Sequence, residues 1–153
     1  VNAVKRGIPV VALVAMVWAT PVIADTGGAD AYQKCQDAFA QQDIGSAVSW
    51  CEASADQGSA DGENGLGTMY LNGQGVTRDL AKAAKLFAAA AAQGNAKAEN
   101  NLAAMYFDGQ GVAEDRPRAV ALFQKSAAQG NAEADNNLKA IYGQFPELRP
   151  KQP

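Results

Sequence analysis

Gly73-Gln74-Gly75-Val76 returns unchanged as Gly109-Gln110-Gly111-Val112, an offset of 36 residues. The same offset carries Met69-Tyr70 onto Met105-Tyr106, Asp79 onto Asp115 and Leu86-Phe87 onto Leu122-Phe123. It also carries Ala91-Ala92-Gln93-Gly94 onto Ala127-Ala128-Gln129-Gly130. Laid on each other without gaps, 59–94 and 95–130 share 18 of 36 positions. Alanine-rich composition does not produce such matches, because they include Tyr, Met, Phe, Gly and Asp at fixed places. Self-similarity at a period between about 20 and 50 residues marks a stacked-repeat architecture, in which each unit buries its apolar face on its neighbours.

Within a unit the apolar spacing is helical. Gly58, Gly94 and Gly130 stand where a helix must stop, since glycine takes the left-handed C′ conformation without steric cost. Ser59, Asn95 and Asn131 follow at once, and all are favoured N-caps, so neighbouring helices run antiparallel. The first helix of a unit carries Gly62/Ala98/Ala134, Leu66/Leu102/Leu138, Met69/Met105/Ile141 and Tyr70/Tyr106/Tyr142 as its stripe. The Gly-x-Gly-Val segment turns the chain, and its valine can plug the end of a helix pair. Asp79 and Asp115 then cap second helices whose Ala83, Leu86, Phe87, Ala90 and Ala91 face inward.

Residues 31–58 read as a divergent helix pair with a shortened connection. Ala31, Tyr32, Cys35, Ala38 and Phe39 share one face of its first helix. Asp43 caps its second, on which Ala47, Trp50, Cys51, Ser54 and Ala55 form a core-facing stripe. At the other end 131–143 is a half unit that closes the stack, and 144–153, with three prolines, reads as an extended tail. Residues 59–94 and 95–130 are the full units between them. The expected architecture is all-α, with about seven helices.

Residues 1–24 have the pattern of a secretory signal peptide: Lys5-Arg6, an apolar run over 8–18, and small residues in Val22-Ile23-Ala24 before a cut at Asp25. An uncleaved anchor is the alternative, although the run is shorter than the roughly 20 residues a spanning helix needs. Residues 25–30 read as a flexible leader. The remainder has 11 Lys+Arg against 16 Asp+Glu, a formal charge of −5, and no basic stripe for a nucleic-acid backbone. A periplasmic or secreted protein is expected, not inserted in a membrane once the signal is removed.

Motifs for chemistry are thin. The Gly-x-Gly loops lack the third glycine, the preceding strand and the Lys-Ser/Thr of phosphate cradles, and their repetition marks them as turns. Gly62, Gly65 and Gly67 fall inside a helix, where relief of packing explains them better than a ligand. The chain has no histidine, which removes His-based triads and His metal sites. Glu63, Glu99 and Asp135 recur at one helical position, read here as a solvated face. No cofactor, metal ligand or catalytic residue is expected.

The pattern Ala98-x3-Leu102-x2-Met105-Tyr106-x2-Gly109-x-Gly111-Val112-x2-Asp115-x3-Ala119, ending Ala127-Ala128-Gln129-Gly130, resembles the Sel1-like repeat family, relatives of the tetratricopeptide repeat. The resemblance implies a right-handed α/α superhelix, a solenoid that serves as a protein-interaction scaffold and has no shared catalytic residues. For an exported bacterial member it implies a protein or peptide partner in the cell envelope. An enzyme acting on a cell-wall amide, or a penicillin-binding protein, is the competing hypothesis. It is disfavoured because no Ser or Thr has Lys three residues on and Lys-Thr-Gly is absent.

Asn64, Asn100 and Asn136 fall on successive first helices, where the resemblance places a concave groove. Each amide offers donors and an acceptor to a peptide backbone, and Leu71 and Phe107 nearby could supply apolar anchors. The alternative is that these amides serve helix ends or solvent. Cys35 and Cys51 lie eight residues either side of Asp43. In an antiparallel pair turning there both sulfurs stand at one height, ~12 Å from the turn at ~1.5 Å per residue. That arrangement suits a disulfide, which some exported members of the family also use between paired helices; two buried thiols are the alternative.

Overall fold

A computed structural model of the chain describes residues 27–150. The signal segment 1–24 with its cut, and the last three residues, lie outside them. Seven α-helices follow one another: α1 (Gly28–Ala40), α2 (Ile44–Asp56), α3 (Ala60–Asn72), α4 (Leu80–Ala92), α5 (Ala96–Asp108), α6 (Arg116–Ala128) and α7 (Ala132–Gln144). A short 3-10 turn over Pro146–Leu148 comes last. The described residues contain no strand, and none of their helices is long and apolar enough to cross a membrane.

Capping residues set the boundaries. The carboxylates of Asp43, Asp79 and Asp115 accept from the backbone N–H of Ser46, Lys82 and Arg118 at 3.1, 2.9 and 3.0 Å. Side chains of Ser59, Asn95 and Asn131 do the same for α3, α5 and α7. Each cap is worth about 1 kcal/mol against alanine. The hydrogen bonds from Ser46 hold the Asp43 carboxyl below its ordinary range. Gly58, Gly94 and Gly130 take φ of 72°, 85° and 87°, as a C′ glycine should. The first helix begins at Gly28, inside the expected flexible leader. Tertiary contact extends it: the buried Ser54 hydroxyl donates to the Gly28 carbonyl.

The Gly-x-Gly-Val segment does more than turn. Its first glycine ends the helix, with φ of 69° at Gly73 and 66° at Gly109. Its second also has positive φ and lies against the preceding unit. A Cβ on Gly75 would stand 2.5 Å from Ile44 Cγ2, and one on Gly111 2.5 Å from the Leu80 carbonyl. Val76 then packs against the cluster of Cys35 and Cys51 from the first pair with Met69 of α3, and Val112 against that of Phe87 from α4 with Leu102 of α5. The segment is therefore a lock between units.

Each second helix shares a core with the first helix of the following unit, α2 with α3, α4 with α5 and α6 with α7. Phe87 lies against Gly67, where a Cβ would meet the ring at 2.8 Å, and Phe123 shares a cluster with Ala103. Cys35 and Cys51 occupy the corresponding positions in the first pair.

The two ends differ from the sequence reading. Trp50 corresponds to Leu86 and Leu122, which pack against the unit before them. Among the described residues no unit precedes α1 and α2, so Trp50 is 38% exposed instead of core-facing, with the Lys34 ammonium 4.4 Å above its ring. At the far end the first part of the expected extended tail folds back: Phe145 and Leu148 pack on the α6–α7 cluster. Arg149 then stands 5.5 Å over the Tyr142 ring. In complete pairs the same tyrosine is covered by a cation from the second helix, Lys82 over Tyr70 at 4.1 Å and Arg118 over Tyr106 at 4.4 Å. The tail thus stands in for part of a missing helix.

Candidate functional site

The first helices, α1, α3, α5 and α7, form one face of the stack, and the last three touch through polar side chains. Asn101 Nδ2 donates to Asn64 Oδ1 at 3.0 Å, and Asn137 Nδ2 to Asn100 Oδ1 at 3.1 Å. Asn95 Nδ2 reaches Asp61 at 2.8 Å, and Asn131 Nδ2 the Ala96 carbonyl at 3.3 Å. Asn64 and Asn100 are 7% and 3% exposed, and their carbonyl oxygens are committed to these rungs; Asn136 is exposed. The candidate asparagines are thus first a tie between repeats. Their partners Asn101 and Asn137 escaped the sequence reading, although the doublets Asn100-Asn101 and Asn136-Asn137 were visible. In α3 the doublet becomes Asn64-Gly65, and Tyr32 of α1 lies where a Gly65 side chain would be.

Three cavities lie along this face. One of about 170 Å³ is formed by Tyr32, Phe39, Asn64 and Thr68, with the Cys35 and Cys51 pair among its walls. The next, about 560 Å³, shares Asn64 and Thr68 with it and extends past Asn101 to Lys97, Gln129 and Glu133. A third, about 240 Å³, lies between α5 and α7 beside Ala104, Phe107, Asp108, Asn137, Ala140 and Ile141. Phe107 therefore does border a cavity, and Phe145 backs its ring edge-on at 5.8 Å. Leu71 is half-buried, packs on the α3–α4–α5 core, and its carbonyl accepts from Arg78 Nε at 2.9 Å.

Of the recurring carboxylates only Asp135 is solvated as expected. Glu99 is fully buried, with Lys125 Nζ 2.6 Å from one oxygen and Gln129 Nε2 2.6 Å from the other. Glu63 accepts from Gln93 Nε2 at 2.8 Å. Burial pushes its carboxyl up, and the Gln93 bond partly offsets this. Asp135 pairs with Lys139. Gln93 and Gln129 belong to the repeated Ala-Ala-Gln-Gly, so that glutamine ties the end of a second helix back to the first helix of its own pair. Periodicity missed this because the partners lie 30 residues apart.

Cys35 and Cys51 form a disulfide, S–S 2.07 Å and Cα–Cα 5.2 Å, as their spacing suggested. Chemically the face offers amide donors and acceptors, a half-buried aromatic at each end and little ionic character. Among the described residues no group of three or more His, Cys, Asp and Glu is placed to hold a metal.

The model of the Sel1 repeat matches residues 36–59, 60–95 and 96–131. The chain belongs to the Sel1-repeat family. Sel1 repeats generally mediate protein–protein interaction, and the fold is typically a non-enzymatic scaffold. A protective antigen present in uropathogenic Escherichia coli strains, displaying an SLR fold, superposes with a TM-score of 0.72 at 31% identity. The match covers 76% of this chain and 26% of that one. A Sel1 repeat protein from Oxalobacter formigenes gives 0.67 at 34% identity, covering 74% and 34%. Cysteine rich protein B of Helicobacter pylori gives 0.64 at 23% identity, covering 72% and 88%, and shows the shared fold. The chain thus spans about a quarter and a third of the first two structures. No curated protein matches it significantly.

Proposed function

We propose that this Sel1-repeat chain is a non-catalytic scaffold or regulator of the bacterial cell envelope that holds an extended segment of another protein along its first-helix face. The observation that carries this reading is the run of cavities from Tyr32 to Ile141, with amide rungs beside it. Such a preformed surface binds without the ordering cost that a mobile one incurs. The ladder leaves Asn101 and Asn137 their carbonyl oxygens, and Asn64 and Asn100 their amide groups, for backbone partners. The disulfide fits an oxidising compartment, and the signal pattern of residues 1–24 agrees with export.

A photo-crosslinking residue at Gln36, Thr68 or Asn137 should trap the partner in the native envelope. The same residue at Lys85 or Ala121, exposed on second helices, should not. Crosslinks confined to Lys85 and Ala121 would move binding to the other face. A stoichiometric covalent adduct with a β-lactam would overturn the non-catalytic reading.

A further inference from the structure

The first-helix position that carries Phe39, Leu71 and Phe107 in the first three units is Gly143 in α7. A Cβ there would meet nothing within 4 Å. Next to this open position a cavity of about 240 Å³ lies between α5 and α7, with Phe107 and Gln144 among its walls. Its walls are largely apolar, from Ala104, Phe107, Phe123, Ala140 and Ile141. The volume is below the ~300 Å³ at which small-molecule sites begin, so it suits one side chain better than a whole ligand. At its rim stands the exposed Asp108, which has no ion-pair partner among the described residues. The nearest cation on the Phe107 ring, Arg116, is engaged by Glu114 at 3.0 Å.

Resting on the function proposed above, we infer that this cavity is the anchor pocket of the binding face. Its occupant is a linear peptide segment carrying one large apolar residue with Lys or Arg beside it. The apolar side chain fills the space next to Phe107, and Asp108 meets the neighbouring cation. Charge complementarity selects this occupant over an acidic one, since the chain from residue 25 onward carries 16 carboxylates against 11 Lys and Arg. An apolar pocket beside an aromatic ring, with a polar rim, is the anatomy of a site where few residues dominate affinity.

A phage-displayed library of random linear peptides, selected on the folded disulfide-bonded protein, tests this with three variants. Ala140→Leu fills the pocket from an exposed helical position with a residue of similar helix propensity, so it should fold normally. Asp108→Lys reverses the rim, and Thr68→Arg blocks the face between the other two cavities. The expected result is enrichment of peptides with an apolar residue next to Lys or Arg. Those peptides should lose roughly tenfold in affinity with Ala140→Leu, and Asp108→Lys should shift the selected neighbour from basic to acidic. Unchanged melting of Ala140→Leu confirms that its loss is local. Peptides weakened by Thr68→Arg yet indifferent to Ala140→Leu and Asp108→Lys would overturn the anchor and leave the groove reading standing. Peptides indifferent to all three variants, or no enrichment at all, would overturn both.

Discussion

The first helix pair and the two that follow solve one packing problem by different chemistry. In α3–α4 the Phe87 ring fills the space over Gly67, and in α5–α6 Phe123 meets Ala103 in the same place. In α1–α2 that slot holds Cys35 and Cys51, joined covalently. The later pairs are covered on both sides, so an aromatic plug is fully desolvated: Phe87 is 0% exposed and Phe123 2%. The first pair has no described unit before it, and a covalent tie stabilises it without needing two neighbours. The later pairs also carry Gln93–Glu63 and Gln129–Glu99 links. The first has Ala31 where those carboxylates would be, and its helices are tied instead by the disulfide and by the Ser54 hydroxyl on the Gly28 carbonyl.

Replacing Phe87 by Ala should have the largest effect, about 3–5 kcal/mol, because a fully buried ring is lost and a cavity remains. Chemical denaturation of the variant checks this, and a loss below that of the cysteine variant would break the comparison. Reducing the disulfide, or Cys35→Ser with Cys51→Ser, should cost about 3 kcal/mol for so short a loop. Hydrogen exchange should then report opening of α1 and α2 before α3 to α6. Uniform opening would show that the first pair is no weaker than the rest. Gly67→Ala sharpens the contrast, since its equivalent Ala103 is tolerated. The new methyl meets the Phe87 ring, an overpacking cost of ~1–3 kcal/mol, against which stands ~1 kcal/mol of helix propensity. A net loss is expected, and Phe87→Leu should relieve it in the double variant.

The smallest effect concerns Glu63. Its carboxyl is raised in the folded state, so the native form holds its proton more firmly than the unfolded one. That contribution is present below the unfolded value near 4.5 and is lost as pH rises through the folded value. Glu63→Gln should therefore gain slightly on the parent at pH 7 and show no advantage at pH 4. Melting curves at the two pH values check this; the opposite order would mean that the Gln93 bond outweighs desolvation.

Much of the fold was legible because its signals are local. The positions of Gly58, Gly94 and Gly130, the caps at Asp43, Asp79 and Asp115, and the halfway turn between the cysteines each speak for themselves within a few residues. The candidate face was half legible. Asn64 and Asn100 were recognised, but their bonds to Asn101 and Asn137 span 37 residues and needed the stacking distance. The pocket beside Phe107 is built by Phe123 of α6 and by Ala140 and Ile141 of α7, which only the stacking brings to α5.

From its sequence alone this chain is a stack of antiparallel helix pairs, because helix periodicity, caps and turn glycines act over single turns and repeat at a fixed interval. Tertiary structure alone decided which polar groups go inside and which apolar ones stay out. Glu99 is buried because α6 brings Lys125 and Gln129 to it, Trp50 is exposed because no described unit covers it, and Phe145 folds inward against the Phe107 ring of α5. Equivalent positions in a repeat share conformation; they share an environment only where they also share neighbours.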